Sequence, residues 1–177
     1  LPYFTDNFGN PNSQHAFGRR AVTAVDEARD TVAKCIGAKP SEIYFTSGGT
    51  ESDNWAMRGA AHALANRGKH LITSAVEHPP MLSAAKELQR EGFEVTLAPV
   101  DGYGTVDLAK LEEAIRPDTV FIGVMAANNE VGTLQPVKEI AALAKARGIA
   151  FFTDAVQAAG TLEVNVKELG ADMLSLS

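Results

Sequence analysis

Cysteine is almost missing from this chain: Cys35 is the single one among 177 residues. One thiol can neither close an internal disulfide nor form a CxxC metal site, so no metal site is expected and a reducing compartment, the cytoplasm, is favoured. Tryptophan occurs once and aromatic residues make up 7%. No apolar run approaches the roughly 18 residues of a spanning helix. No block of Lys or Arg stands out, and the net charge is -6 from 16 Lys and Arg against 22 Asp and Glu. Nucleic acid and membranes are therefore poor partners. There is no repeat, no low-complexity stretch and no signal-like or transit-like segment. What remains is ordinary globular usage, 45% hydrophobic and 21% charged, in a chain long enough for one domain with a sizeable core.

Residues 1–15, rich in Asn, Pro, Ser and Phe, read as a loop. From Gly18 to Ile36, Ala21, Val25, Ala28, Val32 and Ile36 are spaced four, three, four and four, which is one face of a helix. Cys35 lies beside that face and reads as a partly buried structural thiol. Glu42–Thr46 reads as a short strand. A helix is expected from Thr50 to about Asn66, with Gly68 as its stop. Strands follow at His70–Ser74, Phe93–Ala98, Thr119–Met125, Ile149–Thr153 and Asp172–Leu176. Helices are expected at 80–91, around Leu108, Leu111 and Ile115, and after Pro136. Alternating strands and helices predict an α/β fold: a mostly parallel sheet with helices on both faces. Such sheets bind ligands beyond the carboxyl ends of their strands.

Four loops at those ends could carry chemistry. Thr46-Ser-Gly-Gly-Thr-Glu51 joins two glycines to a helix start, which suits a phosphate. Its spacing is neither GxGxxG nor a P-loop. Equally, Thr50 could simply cap the helix. Glu77-His-Pro-Pro80 places His78 rigidly, to stack on an aromatic ligand or move protons, or as a surface residue. Asn128 and Asn129 could donate to a phenolate-like oxygen or form Asx-turns. Asp154 leaves the apolar strand IAFFT, which is costly unless it meets a cation or donors. It could hold a protonated ring nitrogen or cap a short helix. Phe151 and Phe152 read as core. A phosphate cradle, a His, an Asn pair and Asp-x-x-Gln in that order form the set a pyridoxal-phosphate enzyme needs.

The chain resembles the cysteine desulfurase family of fold-type-I, class V pyridoxal-phosphate enzymes. The segments that carry the resemblance are Gly9-Asn-Pro-Asn-Ser-Gln-His15, Thr46-Ser-Gly-Gly-Thr-Glu-Ser-Asp-Asn54, Val76-Glu-His-Pro79, Asn128-Asn-Glu-Val-Gly132 and Asp154-Ala-Val-Gln157. The resemblance implies that residues 1–177 are the large cofactor-binding domain, truncated at both ends and without the small C-terminal domain. It implies that Gly49, Thr50 and Ser177 meet the phosphate of pyridoxal 5'-phosphate and that His78, the catalytic residue, covers its ring. Asn129 and Gln157 would hold the ring oxygen, and Asp154 would pair with the pyridine nitrogen. The loop around Asn10 and His15 would lie near the substrate and the subunit interface. The family's Schiff-base lysine follows a Ser-x-His-Lys stretch, and its nucleophilic cysteine and substrate-carboxylate arginine come later still. None of these is assigned here, and Cys35 is no substitute. The implied reaction converts L-cysteine to L-alanine and passes sulfur, through an enzyme persulfide, toward iron–sulfur cluster or thio-cofactor synthesis. The implied partners are a sulfur-acceptor or scaffold protein and a second subunit in a homodimer. A related aminotransferase, a selenocysteine lyase, or an inactive fragment serving as an interaction module are the alternatives. The 177 residues alone are expected to be inactive.

Overall fold

The computed structural model describes residues 2–177, which divide into two compact units, one ending at Phe45 and one spanning Thr46–Ser177. In the first, Pro2–Thr5 forms a one-turn helix, α1, where the sequence suggests only loop. Pro2 presets its first turn and accepts from the amides of Asp6 and Asn7, both at 2.9 Å. So short a helix leaves no periodicity to read. Helix α2 spans Ala16–Ile36, two residues longer at its start than the apolar spacing indicates. His15 caps it by accepting from the Gly18 amide at 3.3 Å, and Gly37, at φ 70°, closes it in the left-handed conformation. Cys35 is exposed rather than partly buried. It lies two residues past buried Ala33, about 200° around the helix.

The expected strand at Glu42–Thr46 does not form. Pro40–Glu42 is a single 3-10 turn, tied by the Lys39 amide to Glu42 at 2.8 Å. Beyond it residues 43–46 take no regular secondary structure. β-branched and aromatic residues favour extended backbone, but a strand also needs a neighbour. Here the Ile43 carbonyl accepts from the Arg29 guanidinium, which also stands over the Phe45 ring.

The second unit opens with α3, Gly49–Ala63, followed by β1 (His70–Ser74), α4 (Pro79–Arg90), β2 (Glu94–Ala98), α5 (Leu108–Glu113), β3 (Thr119–Gly123), α6 (Val137–Ala146), β4 (Ala150–Asp154), α7 (Val166–Leu169) and β5 (Met173–Ser175). The five strands form one sheet in the order β2-β1-β3-β4-β5, and each pairing is parallel. The alternating pattern therefore gives the parallel α/β fold expected. Every residue of β1 and β3 is buried, because helices cover both faces. Leu71, Phe121 and Phe152 pack with Met57 and Ala61 of α3 and Met81, Ala85 and Leu88 of α4. Ile72, Ile122 and Phe151 pack on the other face with Leu111 of α5 and Ile140 and Ala144 of α6. Phe151 and Phe152 are core on opposite faces. Each fully buried side chain of this size contributes about 1.5–3 kcal/mol. Among the described residues, no helix is long and apolar enough to cross a membrane.

Candidate active site at the carboxyl edge of the sheet

A parallel sheet delivers all its strand exits to one edge. Asp154 is the last residue of β4 and is buried. Its Oδ1 accepts from the Val156 amide at 2.9 Å, an Asx-turn, and the residues that follow form a turn rather than the short helix that a cap would need. Parallel pairing sets Ser175 of β5 directly beside it. The Ser175 Oγ lies 3.4 Å from Asp154 Oδ1 and donates to Asp53 Oδ1 at 2.6 Å. Asp53, on the second turn of α3, is 1% exposed, and its Oδ2 is buried without a partner. Burial, aided by the nearby Asp154, pushes its carboxyl up to about 6.

His78 stands at the start of α4, held by Pro79 at the first helical position. It is half-buried. Donor atoms of Asp53, His78 and Asp154 all lie within 4.8 Å of one another. Two carboxylates and an imidazole so close make an anionic cup fit for a single cationic centre. Below it, Glu77 is buried. It accepts from Ser74 Oγ at 2.5 Å and from the Met125 amide at 3.0 and 3.1 Å. Glu77 thus straps the loop after β1 to the end of β3. Burial pushes its carboxyl up to about 8, against the pull of those donors.

The loop after β3 joins the same edge. The Ala126 amide donates to the Asp154 carbonyl at 2.7 Å, and Asn128 Nδ2 donates to the Val76 carbonyl at 3.1 Å. Asn128 Oδ1 accepts from the amides of Glu130 and Val131, so this Asn does form the Asx-turn. Its neighbour Asn129 is exposed, as is Gln157.

The start of α3 completes the edge. The helix opens at Gly49, one residue earlier than expected, so Thr50 lies in the first turn and is not the cap. Gly48 holds that place at φ 154° and ψ 179°, a conformation essentially confined to glycine, and no side chain caps the helix. A Cβ on Gly49 would sit 2.9 Å from Val156 Cγ2 and 4.0 Å from Ser177 Cβ. An uncapped helix start with a glycine at the point of closest approach receives anions. Glu51 does not compete, because the Ser47 amide and hydroxyl hold it at 2.6 and 2.7 Å and lower its carboxyl. In the first unit, His15 serves as a helix cap and Asn10 accepts from the Asn12 amide at 2.9 Å.

Asp53, Glu77 and Ser175 escape the loop-by-loop reading. A signal for Asp53 exists: it lies four and eight residues before Met57 and Ala61 on the stripe of α3 that the fold buries. An acid on a buried stripe is rarely idle. Ser175 becomes informative only once β4 and β5 are paired.

A parallel α/β sheet with an anionic cup at its strand exits, beside an open helix start, has the chemistry to receive a ligand that is anionic at one end and cationic at the other. The chain belongs to the aminotransferase class-V family, whose model matches residues 1–177. It is 53% identical over 177 residues to the cysteine desulfurase IscS of Methanosarcina thermophila, covering all of this chain and 44% of that protein. It is 48% identical over 178 residues to the mitochondrial cysteine desulfurase of Saccharomyces cerevisiae, covering 36% of its length. Among solved structures, it matches a NifS-like protein with a TM-score of 0.96 at 39% identity, over 99% of this chain and 49% of the other. It matches SspA in complex with cysteine with a TM-score of 0.94 at 41% identity, over 99% and 51%. The chain thus spans about half the length of these relatives, or less.

Proposed function

We propose that this chain is the large, cofactor-binding part of a cysteine desulfurase that uses pyridoxal 5'-phosphate. The observation that carries the reading is the meeting of Asp53, His78 and Asp154 within 4.8 Å, on the edge where α3 starts uncapped. A buried carboxyl oxygen without a partner and a helix start with no room for a Cβ at Gly49 fit a ligand that is cationic at one end and anionic at the other. When bound, the cofactor supplies an electron-withdrawing ring that stabilises negative charge at the carbon bearing an amino acid's amine.

In this reading Gly49 and Thr50 offer the phosphate their first-turn amides, and the Thr50 and Ser177 hydroxyls add donors. Asp154 keeps a proton on the ring nitrogen, with its Oδ1 committed to Val156 and its Oδ2 left for the ligand. His78 covers the ring and carries protons to and from the substrate. Asn129 and Gln157 turn their amides to the ring oxygen. Glu77 holds the His78 loop in place. The substrate is L-cysteine, a reading supported by relatives named for that activity and by a structural neighbour in complex with cysteine. Its sulfur leaves as the persulfide of an enzyme cysteine and passes to an acceptor protein, while alanine is released. The protein is cytoplasmic and works as a homodimer, and residues 1–177 form one large domain within it.

The test uses the protein expressed over its full reading frame and loaded with pyridoxal phosphate. L-Cysteine with a reducing agent should yield alanine and sulfide in equal amounts. Transfer of the amine to a keto acid, without sulfide, would overturn the reading in favour of an aminotransferase.

A further inference from the structure

Asp53 is buried at the heart of the site, and the roles named above for the residues that hold the cofactor leave its own unassigned. Ser175 has one hydroxyl proton, and it goes to Asp53 Oδ1 at 2.6 Å, so the same hydroxyl cannot also satisfy Asp154 at 3.4 Å. Asp53 Oδ2 has no partner. The titratable groups that face Asp53 are Asp154 from β4, His78 at the start of α4 and, beside it, Glu77. Strands β3 and β5, which also pack on α3, carry no charged residue. On α3 itself, Glu51 is held by Ser47 and Arg58 is paired with Glu91 at 2.9 Å. On α4, which also packs on α3, Lys86, Glu87 and Arg90 are exposed, and among the described residues no Lys or Arg is bonded to these acids.

Resting on the reading above, we infer that Asp53 is a positioning residue for Asp154: a second carboxylate, tethered by the Ser175 hydroxyl, whose charge stands behind Asp154 and strengthens its hold on a protonated ring nitrogen. Asp154 so close favours the protonated form of Asp53 unless a positive charge joins them. Below about pH 6 Asp53 is the member that holds a proton while the site lacks a cation. A cationic ring nitrogen held at Asp154 would lower that value, and in this range Asp53 would release its proton to solvent. Linkage is reciprocal, so an anion that stabilises the protonated ring must itself become the stronger acid when the ring binds.

The experiment follows the carboxyl carbons of labelled aspartate by NMR against pH, in the full-length protein before and after loading with pyridoxal phosphate. The Asp53 resonance is the one lost in Asp53→Asn, which keeps an acceptor for Ser175. Without cofactor its midpoint is expected near 6. Loading should lower it by about one pH unit or more, the scale of a unit charge a few ångströms further off at intermediate dielectric. Ser175→Ala should raise the cofactor-free midpoint, because the hydroxyl that favours the ionised form is gone. An Asp53 midpoint that loading leaves unmoved, while the Asp154 carboxyl resonance moves on loading, would overturn the inference alone. If neither aspartate responds to bound cofactor, the placement of the ring nitrogen fails, and the inference with it. A merely structural Asp53 would show no shift on loading.

Discussion

At the amino edge of the sheet, His70 opens β1 fully buried, with Nδ1 at 2.7 Å from the Thr119 hydroxyl and Nε2 at 2.8 Å from that of Thr96. Arg116 stands nearby, bonded to Glu94 and, through two nitrogens at 2.8 and 2.9 Å, to Asp118. At the carboxyl edge the side chains are of the same kinds, yet the bookkeeping differs. His78 is half-buried, Asp53, Glu77 and Asp154 are buried, and among the described residues no Lys or Arg is bonded to them. The buried side-chain oxygens without a partner among the described residues, Asp53 Oδ2 and Thr153 Oγ1, both belong to this end. Buried polar groups are normally satisfied. One edge obeys that rule with its own residues and is structure. The other leaves its charge unanswered, as a site for an incoming ligand does.

That contrast can be broken by substitution, and the largest effect should come at the unanswered edge. In the full-length loaded enzyme, His78→Ala should lower alanine formation by roughly 10²–10⁴-fold while cofactor stays bound. Asp154→Asn keeps shape and removes charge, and should slow the same reaction by at least ~10²-fold, about 2.7 kcal/mol. Near-normal alanine production by either variant would reduce that residue to a structural element and erase the contrast.

At the satisfied edge the loss should fall on stability. His70→Ala strands two threonine hydroxyls and opens a cavity, so denaturant unfolding should show a loss of about 2–4 kcal/mol. Burial and Arg116 hold the His70 imidazole below its usual value. The unfolded chain therefore binds the proton more readily, and this contribution is lost as pH falls from about 6.5 through the folded value.

The buried acids at the carboxyl edge act with the opposite sign. Asp53 and Glu77 have raised values, about 6 and about 8, so the folded state holds their protons more tightly than the unfolded chain. Cofactor-free protein should then lose stability as pH rises through those values, first for Asp53 and then for Glu77. Asp53→Asn should stabilise it at pH 8 relative to pH 5 by about 1.4 kcal/mol, read from the denaturation midpoint at the two pH values. A difference between variant and wild type that is the same at both pH values would show that Asp53 is already well compensated. The smallest effect is expected at Arg116, which is half-buried with its ion pairs facing solvent. Replacement by Ala should shift the unfolding midpoint slightly in low salt and hardly at all in high salt.

The strands were legible because burial on both faces favours short β-branched and apolar runs, such as Thr119–Gly123 with Val120, Phe121 and Ile122 at its centre. The segment at Ile43–Thr46 misleads for the complementary reason: its side chains favour extension, but pairing depends on a partner elsewhere in the chain. The loops bearing His78, Asp154 and Gly49 could be found from strand exits and glycines. Asn128 and Asn129 could not be told apart until the turn consumed one of them.

Local chemistry therefore settles the alternation of strand and helix, the parallel sheet and the edge on which ligands bind, since each follows from patterns within about twenty residues. Which acids share that edge is a matter of contacts across the chain. Ser175 lies 122 positions from Asp53 and donates to it only because α3 packs on β4 and β5 and those strands pair in register. Proton affinity depends on burial and on neighbouring charge, and both arise when the layers close. The chain's order of residues supplied the carboxylates; folding made Asp53 and Glu77 weak acids at the carboxyl edge.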